Sequence, residues 1–390
     1  MTSPLNGRPL DLLDDGDGSR RKPQTSAATG ASAAGIRAFI SQFIAFYFRA
    51  PIKAFFRTRV DYMAYARAIN PRIQAGEGWS WRVTSLGVLA HAVKEHGWGF
   101  IPKQVLPPMV ANVTVGAVLY TSYLQALGLI HEPSSRSTRR VFPPAPISYT
   151  FGAGFMAGTV QSLVAAPLDA LTVRFQTADM LEGRYTSMWQ YAKHKLREIG
   201  PRGVFSGWTL SFLKDSFGAA VFFSSFEYIK SQAYYGFVTR YYGSYESIFS
   251  YDEGRPVIRP HYMLEPMFLL GAGVGASIAQ HAVQHPLAEI QNIHFGRLES
   301  LDYAAKLERR RGVMRLYYHA YKETFEQCKR QSKLAGGWRN WLYRGFFMNT
   351  IRQVPSTSAG LIVFEVVRRK YALDSEATRI EKDGYDILLK

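Results

Sequence analysis

The segment Tyr149–Thr177, YTFGAGFMAGTVQSLVAAPLDALTVRFQT, and the segment Met267–Phe295, MFLLGAGVGASIAQHAVQHPLAEIQNIHF, align on Pro167 and Pro286. Gly152 then falls on Gly271, Gly154 on Gly273, Ala157 on Ala276, Gln161 on Gln280 and Leu168 on Leu287. A proline, an aspartate, an arginine and a glutamine within an apolar helix each cost free energy that their surroundings must offset. Recurrence of the small residues and the proline in register makes that cost architectural.

Each segment leads, after a basic stretch, into a second apolar helix, predicted over Trp208–Lys230 and over Leu342–Arg368. Aligning Phe226 with Phe364 places Gly207 on Gly345, Lys214 on Arg352, Glu227 on Glu365 and Lys230 on Arg368. A fainter copy lies upstream, with AFYFRAPIKAFFRTR around Pro51 and then a helix from about Gln104 to Leu127. The chain therefore reads as three copies of helix, basic loop, helix. Six helices of about 20 residues each are long enough to cross a bilayer. Polar residues along one face suit helices that line an aqueous cavity. The small-xxx-small spacings Gly154/Gly158 and Gly271/Gly275 permit close helix contact. Pro51, Pro167 and Pro286 are expected to kink the odd-numbered helices and to free carbonyls that neighbours must satisfy. The expected fold is an all-α membrane protein, with six transmembrane helices in three two-helix repeats around a central cavity.

The formal charge of +17 admits nucleic acid, anionic lipid or a small anion as partner. No zinc-finger spacing, RRM-like aromatic motif or defensible helix-turn-helix accompanies it, so nucleic acid is not expected. The single cysteine, Cys328, excludes an internal disulfide framework and a multi-cysteine metal site, and reads as a packed thiol. Residues 1–35 read as a disordered tail; Asp11, Asp14, Asp15 and Asp17 argue against an acid-poor transit peptide. The loops after the odd helices (52–103, 174–207 and 292–344) carry 26 Lys and Arg against 11 acids. That bias resembles a positive-inside arrangement, with both termini on the opposite side.

The pattern Pro167, Asp169, Arg174, Gln176, then Glu198, Gly200, Gly203, Phe205 and Gly207, resembles the repeat signature of the mitochondrial carrier family. Repeat three keeps Pro286 and the ending Tyr343-Arg344-Gly345; Phe226-Glu227-x-x-Lys230 and Phe364-Glu365-x-x-Arg368 resemble the family's motif on the even helices. The resemblance implies repeats over 36–128 (degenerate), 148–234 and 265–371, with a tail over 372–390. It further implies a multi-pass transporter of a mitochondrial membrane, inner rather than outer, working by alternating access on a small metabolite. It implies contact with membrane lipid, cardiolipin included. No cofactor, metal or enzymatic activity is implied.

By the same resemblance, the aspartate and basic positions of the three proline motifs pair between repeats to close one end of the cavity. In this sequence the cyclic pairs are Lys53–Thr172, Asp169–Gln291 and Ala288–Phe56, so no ion pair remains and at best two polar contacts do. The opposite gate offers Glu227, Lys230, Glu365 and Arg368, with the pair Lys230–Glu365 or Glu227–Arg368; helix two offers only uncharged residues from Tyr123 to Leu127. Family members bind substrate midway along the even helices, and the matching positions are Ala111 with Asn112, Lys214 with Asp215, and Arg352 with Gln353. Two cations facing one cavity favour an anionic substrate, with Arg352 suited to a carboxylate or phosphate. The competing reading of Lys214 and Asp215 is that they pair or snorkel and only solvate the wall.

Three further features weigh less. Gly271-Ala-Gly273-Val-Gly275-Ala276 imitates a dinucleotide-binding turn but lacks the preceding strand. His281 and His285 are four residues apart, and no third ligand stands nearby in sequence, so a structural or cavity-lining role is expected. The extended loops within 234–264 and 297–340 are either ordered loop structure or surfaces for a protein partner. The eroded proline motifs keep a second function class open: a carrier-fold protein of the outer membrane that no longer transports and acts as adaptor, fusion or protein-insertion factor.

Overall fold

The computed structural model describes residues 63–76, 80, 84–131, 144–174, 185–242, 250–252, 255–258, 261, 263–308, 313–351, 378–382 and 385–389. The first expected helix with Lys53 and Pro51, and most of the sixth with Arg352, Gln353, Glu365 and Arg368, lie outside the described residues, as does the N-terminal tail.

The body is helical. The long elements are α1 (Ser85–His96), α2 (Leu106–Ile130), α3 (Ile147–Arg174), α4 (Met188–Val204), α5 (Trp208–Glu227), α6 (Tyr234–Tyr242), α7 (Leu264–Glu308), α8 (Val313–Leu334) and the short α9 (Trp338–Leu342). At 1.5 Å per residue, α2, α3 and α5 are about 30–40 Å long, enough for the hydrocarbon core. Among the described residues, three helical stretches are long and apolar enough to cross a membrane: Ile101–Ile130, Ile147–Val173 and Leu264–Leu298. Along α3 the residues Met156, Val160, Leu163 and Val164 form an outward apolar stripe. Such a stripe is stable against lipid and a liability against water.

The repeat is visible as geometry. A surface helix ends at a glycine with positive φ three times: α1 at Gly97 (φ 75°), the main part of α4 at Gly200 (φ 67°) and α8 at Gly336 (φ 78°). Glycine adopts this conformation without the penalty a Cβ would bring, so it ends a helix cleanly. Each surface helix is followed by the start of an even helix: α2 and α5 in the first two repeats, and the helical residues 346–351 in the third.

The helices pack through small side chains. Ala153 and Ala157 of α3, Ala219 of α5, and Ala272 and Ala276 of α7 are buried in one cluster, together with Tyr123, Phe222, Phe223 and Phe226. A Cβ placed on Gly154 would lie 2.8 Å from the Ala220 Cα, and one on Gly158 would lie 2.5 Å from the Asp215 carbonyl oxygen. These two glycines set the α3–α5 distance. The second small-residue spacing behaves differently: Gly275 faces only the Ile229 side chain, and Gly271 has nothing within 4 Å.

Both α3 and α7 run unbroken through their prolines. Pro286 has no N–H for the Ala282 carbonyl, and the Tyr343 hydroxyl donates to that oxygen at 3.2 Å. At the position of repeat two equivalent to Tyr343 stands Phe205, which has no hydroxyl. Tyr343→Phe is expected to cost about 1 kcal/mol, the net worth of one hydrogen bond whose acceptor is otherwise orphaned, read as a lowered Tm in detergent.

The structure adds an element that the sequence reading placed in a loop and a tail. Strands β1 (Ser250–Asp252), β2 (Arg255–Ile258), β3 (Thr378–Lys382) and β4 (Tyr385–Leu389) form a sheet in the order β1-β2-β4-β3. The two hairpins are antiparallel, and β2 pairs with β4 in parallel, Val257 opposite Asp386. The connection between α6 and α7 is thereby tied to the C-terminal segment. Likewise the charged stretch 313–334 is a helix, not a loop, and buries Cys328, whose thiol burial pushes above its usual range.

Candidate functional site: a polar chain across three helices

The first turns of α5 place Ser211, Lys214 and Asp215 at i, i+3 and i+4, on one side of the helix. Asp169 stands two residues after Pro167 on α3, and Gln291 five after Pro286 on α7. These residues meet. The Lys214 ammonium donates to the Gln291 side-chain carbonyl. The Gln291 amide donates to the Ser211 hydroxyl at 2.6 Å, and Ser211 donates to an Asp169 carboxylate oxygen at 2.7 Å. Every donor in the chain points the same way, from a cation to an anion. Such an order polarises each bond in the same sense and strengthens it. Ser211 and Gln291 are almost fully buried, so an unmade bond in this chain would leave a desolvated polar group. A small cavity of about 10 Å³, no more than a water molecule needs, lies beside Asp169 and Ser211, between α3, α5 and α7.

This geometry revises the expected pairings. Asp169 and Gln291 are linked, but through Ser211 and not directly. Lys214, assigned from spacing to the mid-cavity substrate position, reaches the gate glutamine. Thr172 turns its hydroxyl to the Leu168 carbonyl of its own helix at 2.8 Å; its expected partner Lys53 is outside the described residues. Asp215 and Asn112 are both buried, on α5 and α2. Gln284 of α7 donates to the Lys214 backbone carbonyl at 3.4 Å and fills the space over Gly218, fixing the backbone from which Lys214 projects. Ser211 is the functional candidate that sequence reasoning missed. Its signal was available, a small hydroxyl one turn before a cavity lysine, but serines of that kind are common in apolar helices.

The opposite end is built differently. Lys230 bonds Glu227 within its own helix, at 3.3 and 3.4 Å to the two oxygens, and lies over the Phe226 ring at 5.6 Å. Ser231 also donates to Glu227. Lys230 falls in a widened turn, Tyr228–Ala233, that joins α5 to α6. The cross-helix partners Glu365 and Arg368 are outside the described residues. Helix two contributes no charge here but an aromatic lid: Tyr123 stacks on Phe223, with centroids 3.7 Å apart and planes 5° apart.

His281 and His285 pack on Phe346, and the His285 Nε2 lies 3.2 Å from the Arg344 carbonyl, which ties the fifth helix to the start of the sixth. Lower on α7, the His294 Nδ1 meets the Thr324 hydroxyl of α8 at 3.0 Å. Tyr321, on the same face of α8, donates to the Ser206 carbonyl at 3.0 Å, and burial raises its hydroxyl's pKa. The Tyr321 bond fixes the surface helix of repeat three against repeat two, and the His294 contact fixes it to its own odd helix.

Comparison with known proteins bears on this arrangement. Residues 143–235 match the family model described as mitochondrial carrier protein. The chain is 25% identical over 296 residues to a mitochondrial carnitine/acylcarnitine carrier-like protein of Arabidopsis thaliana, a match covering 73% of this chain and 83% of the relative. It is 31% identical over 128 residues to solute carrier family 25 member 45 of Homo sapiens, covering 31% of this chain and 43% of that protein. It is 24% identical over 130 residues to mitochondrial ornithine transporter 1 of Saccharomyces cerevisiae, covering 32% and 42%. The chain thus spans less than half the length of two of these relatives and most of the third.

Proposed function

We propose that the chain is a member of the mitochondrial carrier family and that it carries a small anionic metabolite across a mitochondrial membrane by alternating access. The observation that carries the reading is the ordered chain Lys214–Gln291–Ser211–Asp169. It joins three helices at one end of the cavity by hydrogen bonds that can be made and broken, and its outer member is a cation at a family substrate position. Arg352, the equivalent residue of repeat three, supplies a second cation to the same substrate. Asn112, Asp215 and Gln353 complete the proposed site, with Glu227, Lys230, Glu365 and Arg368 as the opposite gate. The proposed repeats are 36–128, 148–234 and 265–371, and the proposed membrane is the inner one, with lipid, cardiolipin included, against the outer faces.

Uptake of radiolabelled phosphate and of C4 to C6 dicarboxylates and tricarboxylates into proteoliposomes tests the proposal. Saturable uptake of one of them, faster than in protein-free vesicles, supports it. Absence of uptake across the panel, by protein that is monodisperse and correctly oriented, overturns it.

The non-transporting alternative, an adaptor, fusion or insertion factor with a protein partner at 234–264 or 297–340, draws on the four-stranded sheet. The sheet ties the connection between α6 and α7 to the C-terminal segment, a tether with no evident part in moving a solute. Deleting residues 378–389 separates the readings. Transport by the helical body survives that deletion, whereas an adaptor whose surface includes the sheet loses its function.

A further inference from the structure

We propose that α6 lies in the interface of the bilayer, with Phe237 and Tyr241 seated at the boundary between lipid headgroups and acyl chains. This face of the segment between α5 and α7 meets lipid and not a protein partner. The inference needs the apolar helices to stand in a bilayer and is independent of whether they transport.

The level of α6 in the molecule is fixed by its contacts. In the widened turn that leads into it, Gln232 donates to the Ala145 carbonyl at 3.1 Å, just ahead of Ile147, where the apolar stretch of α3 begins. Tyr234 and Phe237 both pack on Phe268, with ring centroids 5.4 Å apart in each pair. Phe268 lies one turn inside the apolar stretch of α7, which starts at Leu264. The start of α6 therefore stands beside the ends of two stretches long enough to cross a membrane. That is the depth at which hydrocarbon gives way to headgroups.

The side chains of α6 suit that depth. Tyr234 and Val238, four residues apart, are only 4% and 1% exposed and hold the helix to the body of the protein. Phe237 and Tyr241, also four apart, are 39% and 50% exposed, and their rings stack with centroids 5.5 Å apart and planes 8° apart. In water an exposed aromatic pair is a liability. At the interface it is favoured, because the rings enter the acyl boundary while the tyrosine hydroxyl stays among wet headgroups. Arg240 is exposed next to Tyr241, and its long stem lets the guanidinium rise toward lipid phosphate. The Thr239 hydroxyl bonds back to the Tyr235 carbonyl at 2.8 Å, so it brings no unsatisfied polar group to the lipid.

Continuity decides between lipid and protein as the occupant. A protein-docking patch is closed off by a polar rim. This one runs on into α7, where Met263, Met267, Leu270 and Ile278 form an exposed apolar stripe along a membrane-length helix. The apolar medium that covers the α7 stripe covers Phe237 and Tyr241 as well.

Site-directed spin labelling tests the assignment. Phe237→Cys and Tyr241→Cys are made separately in the full chain carrying Cys328→Ser, labelled with a nitroxide, and reconstituted alone in phosphatidylcholine–phosphatidylethanolamine vesicles. Collision with oxygen, which concentrates in lipid, is compared with collision with a water-soluble nickel chelate present on both sides. Met267→Cys is the lipid reference, and Lys329→Cys, at an exposed position of α8, is the water reference. Should Cys328→Ser not fold, the buried Cys328 stays in place and the labelled wild type gives the background. Should one aromatic variant not fold, the other decides. The expected oxygen-to-nickel ratio at 237 and 241 is several-fold above that at 329 and close to that at 267. A ratio equal to that at 329 means that α6 faces water and overturns the proposal. Labels reached by neither reagent are covered by protein, which overturns it in favour of a docking surface. A water-like ratio at 267 removes the α7 stripe from the bilayer and overturns the proposal together with the membrane reading of α7. The carrier function is judged separately, by uptake.

Discussion

Gly158→Leu is expected to yield no monodisperse protein, and Gly158→Ala to lower the Tm by several degrees. The Cβ of any side chain at 158 would stand 2.5 Å from the Asp215 carbonyl oxygen and 2.6 Å from the Ser216 Cα. Both are backbone atoms inside a helix, so no rotamer change relieves the clash, and α3 and α5 must move apart along their contact. Overpacking of a tight core costs about 1–3 kcal/mol when side chains can shift, and more when they cannot. The same displacement would pull Ser211 away from Asp169, since Asp169 lies about three turns from Gly158 on α3 and Ser211 about one turn from Asp215 on α5. Gly271→Leu is the control. It belongs to the same small-residue pattern in the equivalent repeat, but nothing lies within 4 Å of its Cβ, so its Tm should match the wild type. Size-exclusion profiles and thermal unfolding of the three variants in one detergent check the set. Equal behaviour of the position 158 and 271 leucine variants would mean that the α3–α5 contact is not set by this glycine.

The pair Gly158 and Gly271 also marks how far the sequence could be read. Glycines and alanines at helical spacing reveal that some helices approach closely, because only small residues allow it. They do not reveal which glycine meets a backbone and which faces open space. The three-fold repeat was legible for a related reason: an interior proline and a chain-reversing glycine each solve a backbone problem that recurs at the same place in every copy. Repeat one lacks a clear proline motif, yet its surface helix ends at Gly97 as the other two end at Gly200 and Gly336.

The candidate site was legible as a set of positions and not as a set of bonds. Spacing from Phe226 located Lys214 on the cavity face of α5, and spacing from the prolines located Asp169 and Gln291 near the gate. Whether a long side chain turns toward the cavity centre or toward the gate depends on what it finds there. In this chain it finds the carbonyl of a glutamine. Ser211 was passed over because a hydroxyl in an apolar helix usually returns a bond to its own backbone, as Thr172 does with Leu168. The sheet was illegible for a different reason. Its strands are three to five residues long, and its central pair joins β2 to β4, segments with the whole of repeat three between them. No local pattern announces a pairing of that range.

Lys214→Ala and Arg352→Ala are each expected to abolish uptake of the transported anion while leaving folding and targeting intact. The two residues align in repeats two and three, and the proposed carrier function assigns both to the substrate. A cation there costs about 2.5–3.5 kcal/mol on insertion scales unless water, a polar partner or an anion compensates it. Lys214 bonds the Gln291 side chain. On the proposed carrier function, the transported anion compensates both cations during the cycle. Removing either cation therefore removes an interaction made only on the way through the cycle, so transport should be lost more completely than ground-state stability. The thermal stabilisation given by the anion should go with it, because a ligand that binds only the folded protein raises its stability by mass action. Lys214→Arg separates charge from shape: it keeps the positive charge but presents a planar fork in place of a compact ammonium, and partial uptake is expected from it. The non-transporting alternative makes the opposite forecast. Alanine at both positions would then leave cells lacking the wild-type protein fully rescued, and deletion of residues 378–389 would be the damaging change. Full rescue by the Lys214→Ala, Arg352→Ala double variant would refute the carrier reading, whatever the stability of the gate.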